Sequence, residues 1–197
     1  MNPVLACPNE AESSGPTAAK KSSFFPSTWL NSASLRLITE PRAKFKMLSL
    51  ILRVPERVTL LSGRRVATFK EHNAVSLQYG KVVVGKFGLR PGPKTAASLQ
   101  NDVAEDLKPS LYMVYKQDGQ FSAYRGEIES VSYAKPMPEY DNLIPDYYSE
   151  LESQPNFWIT VIGGLAPSGL FGLNLASSGR PVLEVLRETR TAAMLAN

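Results

Sequence analysis

The pattern of apolar and polar positions divides the chain near Met47. Before it, apolar residues follow no sustained period. From Pro8 to Ser34 the sequence is rich in Ser, Pro, Ala and Asn, a composition that buries too little apolar surface to offset the entropy of ordering. A disordered or weakly ordered tail is therefore predicted over residues 1–46. Within it, Phe24, Phe25, Trp29 and Leu30 form a short apolar stretch able to dock on a partner. Met47 immediately precedes the first strand-like run, which suggests an alternative translation start, and residues 47–197 read as a single domain.

After Met47 the periods become regular. Ser49–Val54 and Arg57–Leu61 are β-like runs separated by Pro55. Thr68, with Glu71 three residues on, has the spacing of a capping box opening a helix through Leu77, and Gly80 supplies its end. Lys81–Phe87 is a β-branched strand that breaks into a Gly/Pro loop over Gly88–Pro93. Thr95 is expected to cap a second helix to about Leu107, with Ala96, Leu99, Val103 and Leu107 as its apolar stripe. Leu111–Lys116 and Phe121–Val131 flank Asp118–Gly119 as a hairpin. A Pro-containing loop over Tyr133–Asn142 leads to a short helix over Ile144–Leu151, with Pro145 near its start. Phe157–Ile162 reads as a strand, Gly163–Gly169 as a loop, Leu170–Leu175 as a strand and Pro181 to about Arg190 as a last helix. This order, without βαβ repeats, predicts an α+β fold with a small, curled, mostly antiparallel β-barrel and short flanking helices.

Composition narrows the chemistry. The chain has 197 residues with one cysteine, Cys7, and one histidine, His72. A disulfide framework, a Cys/His zinc site and a Cys–Cys redox pair are excluded. A reducing, cytoplasmic setting fits, and neither a secretory signal nor an 18-residue apolar run is visible. The net charge of +4 is unevenly spread: residues 1–46 carry +3, Met47–Lys94 carry +7 and Thr95 onward carries −6. Such a division suits a half that faces a polyanion, although alternating solvated cations would give the same count.

His72 has no accompanying G-x-S-x-G serine signature, and an imidazole at a helix start more often packs than catalyses. Gly85–Lys94 carries glycines beside Lys86, Arg90 and Lys94 but lacks the Gly-Lys-Ser/Thr ending of a phosphate loop. Nucleotide hydrolysis is unsupported. A connecting loop, or a loop whose backbone approaches a phosphate, both remain open. Glu127 and Glu129 share a strand face, but solvated faces explain the many carboxylates after Asn101 better than a metal site. No catalytic residue, metal or cofactor is expected. The aromatic residues Tyr112, Tyr115, Phe121, Tyr124, Tyr133, Tyr140, Tyr147, Tyr148, Phe157 and Trp158 are more suggestive, because an extruded base needs flat apolar walls. Strand alternation lets only some of them share a pocket, and of Phe157 and Trp158 one must face the core and the other outward.

From Phe69 onward the chain resembles the EVE-like branch of the PUA-like superfamily, found in prokaryotic defence and restriction proteins. The resemblance rests on Phe69-Lys70-Glu71-His72 leading to Tyr79-Gly80-Lys81-Val82-Val83-Val84-Gly85-Lys86. It continues through Leu111-Tyr112-Met113-Val114-Tyr115 with Tyr124-Arg125-Gly126-Glu127-Ile128. Ile144-Pro145-Asp146-Tyr147-Tyr148, Phe157-Trp158-Ile159 and Ser177-Ser178-Gly179-Arg180-Pro181-Val182 complete it. The family pattern often has tryptophan in the first pocket strand, where this chain has Val83 and Val84. The resemblance implies a curled barrel whose pocket reads a modified or flipped base, as the sensor part of a nuclease system.

Both lines lead to one expected function, a non-enzymatic module that binds DNA or RNA and reads a base. Lys86, Phe87, Gly88, Arg90, Lys94, Arg64 and Arg65 are the expected nucleic-acid contacts, and Tyr112, Tyr124, Tyr148 and Trp158 the expected base pocket. Lys86→Ala should weaken all sequences alike, and Trp158→Ala should lose base preference. Expected partners are the nucleic acid and an effector protein encoded nearby, with no membrane. The alternative is a non-catalytic protein-interaction subunit that uses the fold as a scaffold and residues 1–46 as its contact. A small enzyme using His72 with a nearby carboxylate ranks last.

Overall fold

A computed structural model describes residues 47–191 and 193–197. The expectations for residues 1–46 lie outside the described residues. The chain runs through β1 (Ser49–Arg53), β2 (Arg57–Thr59), β3 (Arg65–Ala67), α1 (Thr68–Tyr79), β4 (Lys81–Lys86), α2 (Pro93–Ala104), β5 (Ser110–Gln117) and β6 (Gln120–Ser132). Two 3-10 segments, Pro138–Leu143 and Asp146–Glu150, precede β7 (Phe157–Ser168), α3 (Val182–Glu188) and β8 (Ala193–Ala196). This is a mixed α+β architecture.

Six strands form one sheet in the order β4-β7-β6-β5-β1-β8, and β2 and β3 form a separate ribbon. Only β1 and β5 pair in parallel; every other neighbouring pair in the large sheet is antiparallel. The edge strands β4 and β8 both contribute to one core, in which Val82 and Val84 meet Leu50, Leu111, Met113, Phe157 and Ile159, with Ala193 and Leu195 packed against it. Ala96 and Leu99 of α2 fill the same core. The sheet is therefore curled, but no strand pairing joins β4 to β8 among the described residues, and the barrel is not closed.

The opposite face is also covered. Under α3, Ile51, Tyr112 and Val114 pack against Val182 and Leu186. Toward β4, Val83 and Trp158 pack against Leu143, Ile144, Tyr147 and Tyr148 of the 3-10 segments and their junction. This changes the expectation for Phe157 and Trp158. The pleat does send them to opposite faces, but both are buried, at 0% and 3% exposure, because each face has its own cover.

Several boundaries differ from the pattern. Thr68 is the first helical residue rather than the cap, since its amide is already held by the Glu56 carbonyl at 3.0 Å, and Ala67 takes the cap position without a side-chain bond. Gly92, not Thr95, precedes α2, because Pro93 with its fixed φ starts the helix three residues sooner. The helix stops at Ala104; Asp106 and Lys108 then adopt positive φ on the way into Pro109. β7 continues to Ser168 through Gly163 and Gly164, both at positive φ, where a bulge shifts its register on β6 and bends the strand. Leu170–Leu175 is a turn held by isolated bridges rather than a strand. β3 and β8 are short strands that periodicity does not show.

Candidate functional site

The end of the sheet where β4 and β6 finish and β7 begins gathers most of the expected site. Register sets Trp158 beside Gly85 of β4 and Ser132 of β6. Gly85 is required there: a Cβ would lie 2.5 Å from Pro155 Cγ and 3.0 Å from Tyr148 Cε1. Two cavities border Trp158. One, of about 320 Å³, is also bounded by Ser130, Ser132, Met137, Tyr140 and Thr160. The other, of about 400 Å³, is bounded by Lys135, Asp141, Asp146, Tyr148 and Gln154. Lys135 and Asp141 are paired at 2.8 Å, and Glu129 on the first cavity is paired with Lys81 at 2.5 Å. Hydroxyls and carboxylates thus face an apolar and aromatic wall, a lining suited to a flat polar heterocycle rather than to a phosphate.

Tyr148 is a wall but not an open stacking face. Its ring stacks on Tyr147 at 4.4 Å and on Phe87 at 5.8 Å, and it is 3% exposed. Its hydroxyl accepts from the Gly85 amide at 2.8 Å and has two acceptors for its own proton, His72 Nε2 at 3.0 Å and, farther off, the Gly85 carbonyl at 3.2 Å. His72 Nδ1 lies 2.7 Å from the Thr68 carbonyl, which can only accept, so Nδ1 carries the proton and Nε2 accepts from Tyr148. Burial holds the His72 pKa down at about 4, against the upward pull of the Thr68 bond, and pushes Tyr148 up to about 12. A fully buried imidazole whose two nitrogens are both engaged is a structural group. Among the described residues no three His, Cys, Asp or Glu side chains gather as a metal site.

The expected cations separate into three places. Arg90 stands over the Tyr133 ring at 4.8 Å, and the Tyr133 hydroxyl donates to the Pro91 carbonyl at 2.9 Å. Gly88, at φ +68°, offers its carbonyl to Asn156 Nδ2 at 2.6 Å, which ties this loop to the start of β7. Lys94 is exposed in the first turn of α2. Lys86 differs from the expected surface contact. It is 5% exposed, its ammonium donates to the Phe87 carbonyl, and burial lowers its pKa. Substituting it would disturb packing, so Lys86→Ala does not isolate a phosphate contact. Arg64 is paired with Glu150 at 3.1 Å, and Arg65 is exposed on the same ribbon, which the Leu61 amide joins to the Glu150 carbonyl at 2.9 Å.

Two expected pocket tyrosines lie elsewhere. Tyr112 faces the α3 side, 7% exposed, with the Arg125 guanidinium 6.0 Å from its ring. Tyr124 is on the other face, opposite Met113, stacked on Phe69 at 3.3 Å and parallel to Tyr115 at 6.1 Å. Neither borders the Trp158 cavities. Conversely, Ser132, Met137, Tyr140 and Thr160 border the first cavity and are not among the expected pocket residues. Their only sequence signal was the aromatic character of Tyr140 in a loop; strand register and loop path supply the rest.

Compared with family models, curated proteins and solved structures, the chain matches none of them. No helix among the described residues is long and apolar enough to cross a membrane.

Proposed function

We propose that this protein is a nucleic-acid-binding module that admits one modified or flipped base to the cleft bordered by Trp158, and that its curled sheet is an EVE-like, PUA-like variant serving a defence effector. The observation that carries the reading is the aromatic and hydroxyl-lined cleft at the end of the sheet where β4 passes into the loop bearing Arg90 and Lys94. Tyr140, 38% exposed, is the ring available for stacking, while Trp158, 3% exposed, is part of the wall. The hydroxyls of Ser132 and Thr160, on the same cavity as Tyr140, would accept from or donate to a base edge. Backbone contacts set affinity and its salt dependence; base contacts set preference.

The test is fluorescence anisotropy on plain and on cytosine- or adenine-modified oligonucleotides at two salt concentrations. Tyr140→Ala should cost the preferred oligonucleotide about 5- to 100-fold, the worth of one base–aromatic stack. Arg90→Ala should weaken every oligonucleotide alike and flatten the salt dependence by about one ion. Equal binding of plain and modified strands by the wild type and by Tyr140→Ala refutes base reading. The interaction-subunit reading draws on Leu89 and Phe171, each 90% exposed. It predicts no oligonucleotide binding and loss of partner association in Leu89→Ser or Phe171→Ser.

A further inference from the structure

The open seam of the curled sheet encloses a cavity of about 510 Å³. One lip is the segment after β4, with Arg90 and Thr95; the other is the approach to β8, with Arg190; Leu50 and Leu195 supply apolar wall. Among the described residues neither arginine is paired with a carboxylate. Two like charges from segments a hundred residues apart in sequence are thus brought to one cavity with no carboxylate partner among the described residues. Guanidinium forks match phosphate oxygens well.

We propose that the seam binds a phosphate monoester, with Arg90 and Arg190 holding the phosphate and the apolar wall receiving the group esterified to it. The charge selects the class. A monoester carries close to two negative charges at neutral pH, its second pKa lying near 6, and so balances both arginines. A backbone phosphodiester carries one and must lead two chains out of the cavity. The monoester has two sources of identical chemistry, a free nucleoside monophosphate or the 5′-phosphorylated end of a strand. The inference deepens the reading above by naming the group Arg90 holds, and it does not depend on discrimination in the Trp158 cleft.

Isothermal titration of the full chain with adenosine monophosphate and with adenosine tests it. The monophosphate should bind and the nucleoside should not. Arg90→Ala and Arg190→Ala should each weaken the monophosphate about tenfold or more, as losing a charged hydrogen bond does. Lys70→Ala removes the same charge from an exposed position on α1 and should change it by less than about twofold. Binding should also weaken toward about pH 5, where the monoester takes up a proton. Both arginines are exposed, so the variants should retain wild-type thermal melts. No heat with the monophosphate, or Arg190→Ala binding like the wild type, overturns the proposal. Anisotropy on 5′-phosphorylated and 5′-hydroxyl copies of one oligonucleotide separates the sources: preference for the former assigns the strand end, and indifference assigns the free nucleotide. Monophosphate binding with no base preference leaves this site standing and removes the base reading; the reverse result does the opposite.

Discussion

Replacing Tyr148 by Phe removes one oxygen and strands two buried groups. The Gly85 amide loses the acceptor it has at 2.8 Å, and His72 Nε2 loses the donor it has at 3.0 Å. The imidazole cannot compensate by changing tautomer, because Nδ1 must keep its proton for the Thr68 carbonyl 2.7 Å away. His72 is 0% exposed and Tyr148 3% exposed, so water does not reach either partner freely. An unsatisfied buried donor or acceptor costs about 1–3 kcal/mol, which gives about 2–6 kcal/mol for the pair. That is a large part of the roughly 5–15 kcal/mol that holds a typical domain folded. At about 2–4 °C per kcal/mol, Tm should fall by about 10 °C. Urea denaturation followed by circular dichroism, with a thermal melt on the same samples, measures both quantities. A loss below about 0.5 kcal/mol, the size of an ordinary surface substitution, would refute the network as a stabilising element.

Acid should expose the same network. The folded His72 pKa, about 4, lies below its ordinary 6.5, so between these values the unfolded chain binds a proton that the folded chain refuses. The stabilisation is fully present above about pH 6.5 and is lost as pH falls toward 4, by roughly 3 kcal/mol in all. Urea midpoints across that range should fall less steeply in His72→Gln than in the wild type; superimposable slopes would contradict the assignment. Gly85→Ala should cost about 1–3 kcal/mol, since its methyl is forced against Pro155 and Tyr148, and a wild-type urea midpoint would show that the contact relaxes freely. Gly119→Ala, at φ +82° in the hairpin turn beside Asp118 at +49°, should lower stability by about 1 kcal/mol in the same assay. An unchanged Tm there would mean that the turn does not hold its left-handed geometry in solution.

The strands and helices were legible where a local cause sets them. Asp118–Gly119 both take positive φ as the hairpin requires, and Gly80 ends α1 at φ +70°. The stripe of α2 was right for Ala96 and Leu99, which are buried, since a helical period needs only one partner surface. The caps at Thr68 and Thr95 failed because neighbours, the Glu56 carbonyl and Pro93, had already decided those helix starts. Of the expected base pocket, Trp158 and Tyr148 border the cavities at the end of β4, while Tyr112 and Tyr124 lie away from them.

What the amino-acid sequence determined by itself was therefore local: alternation, turn chemistry, the absence of paired cysteines and the concentration of cations before Lys94. These follow from φ preferences, side-chain period and composition, which act over a few residues. Only the tertiary structure decided which faces are open. The parallel pairing of β1 with β5, the unjoined edges β4 and β8, the burial of Lys86 and the placing of Arg90 and Arg190 on one cavity all depend on contacts between segments far apart in the chain. Such contacts are chosen by the packing of whole faces against one another, and no short window of sequence contains both partners.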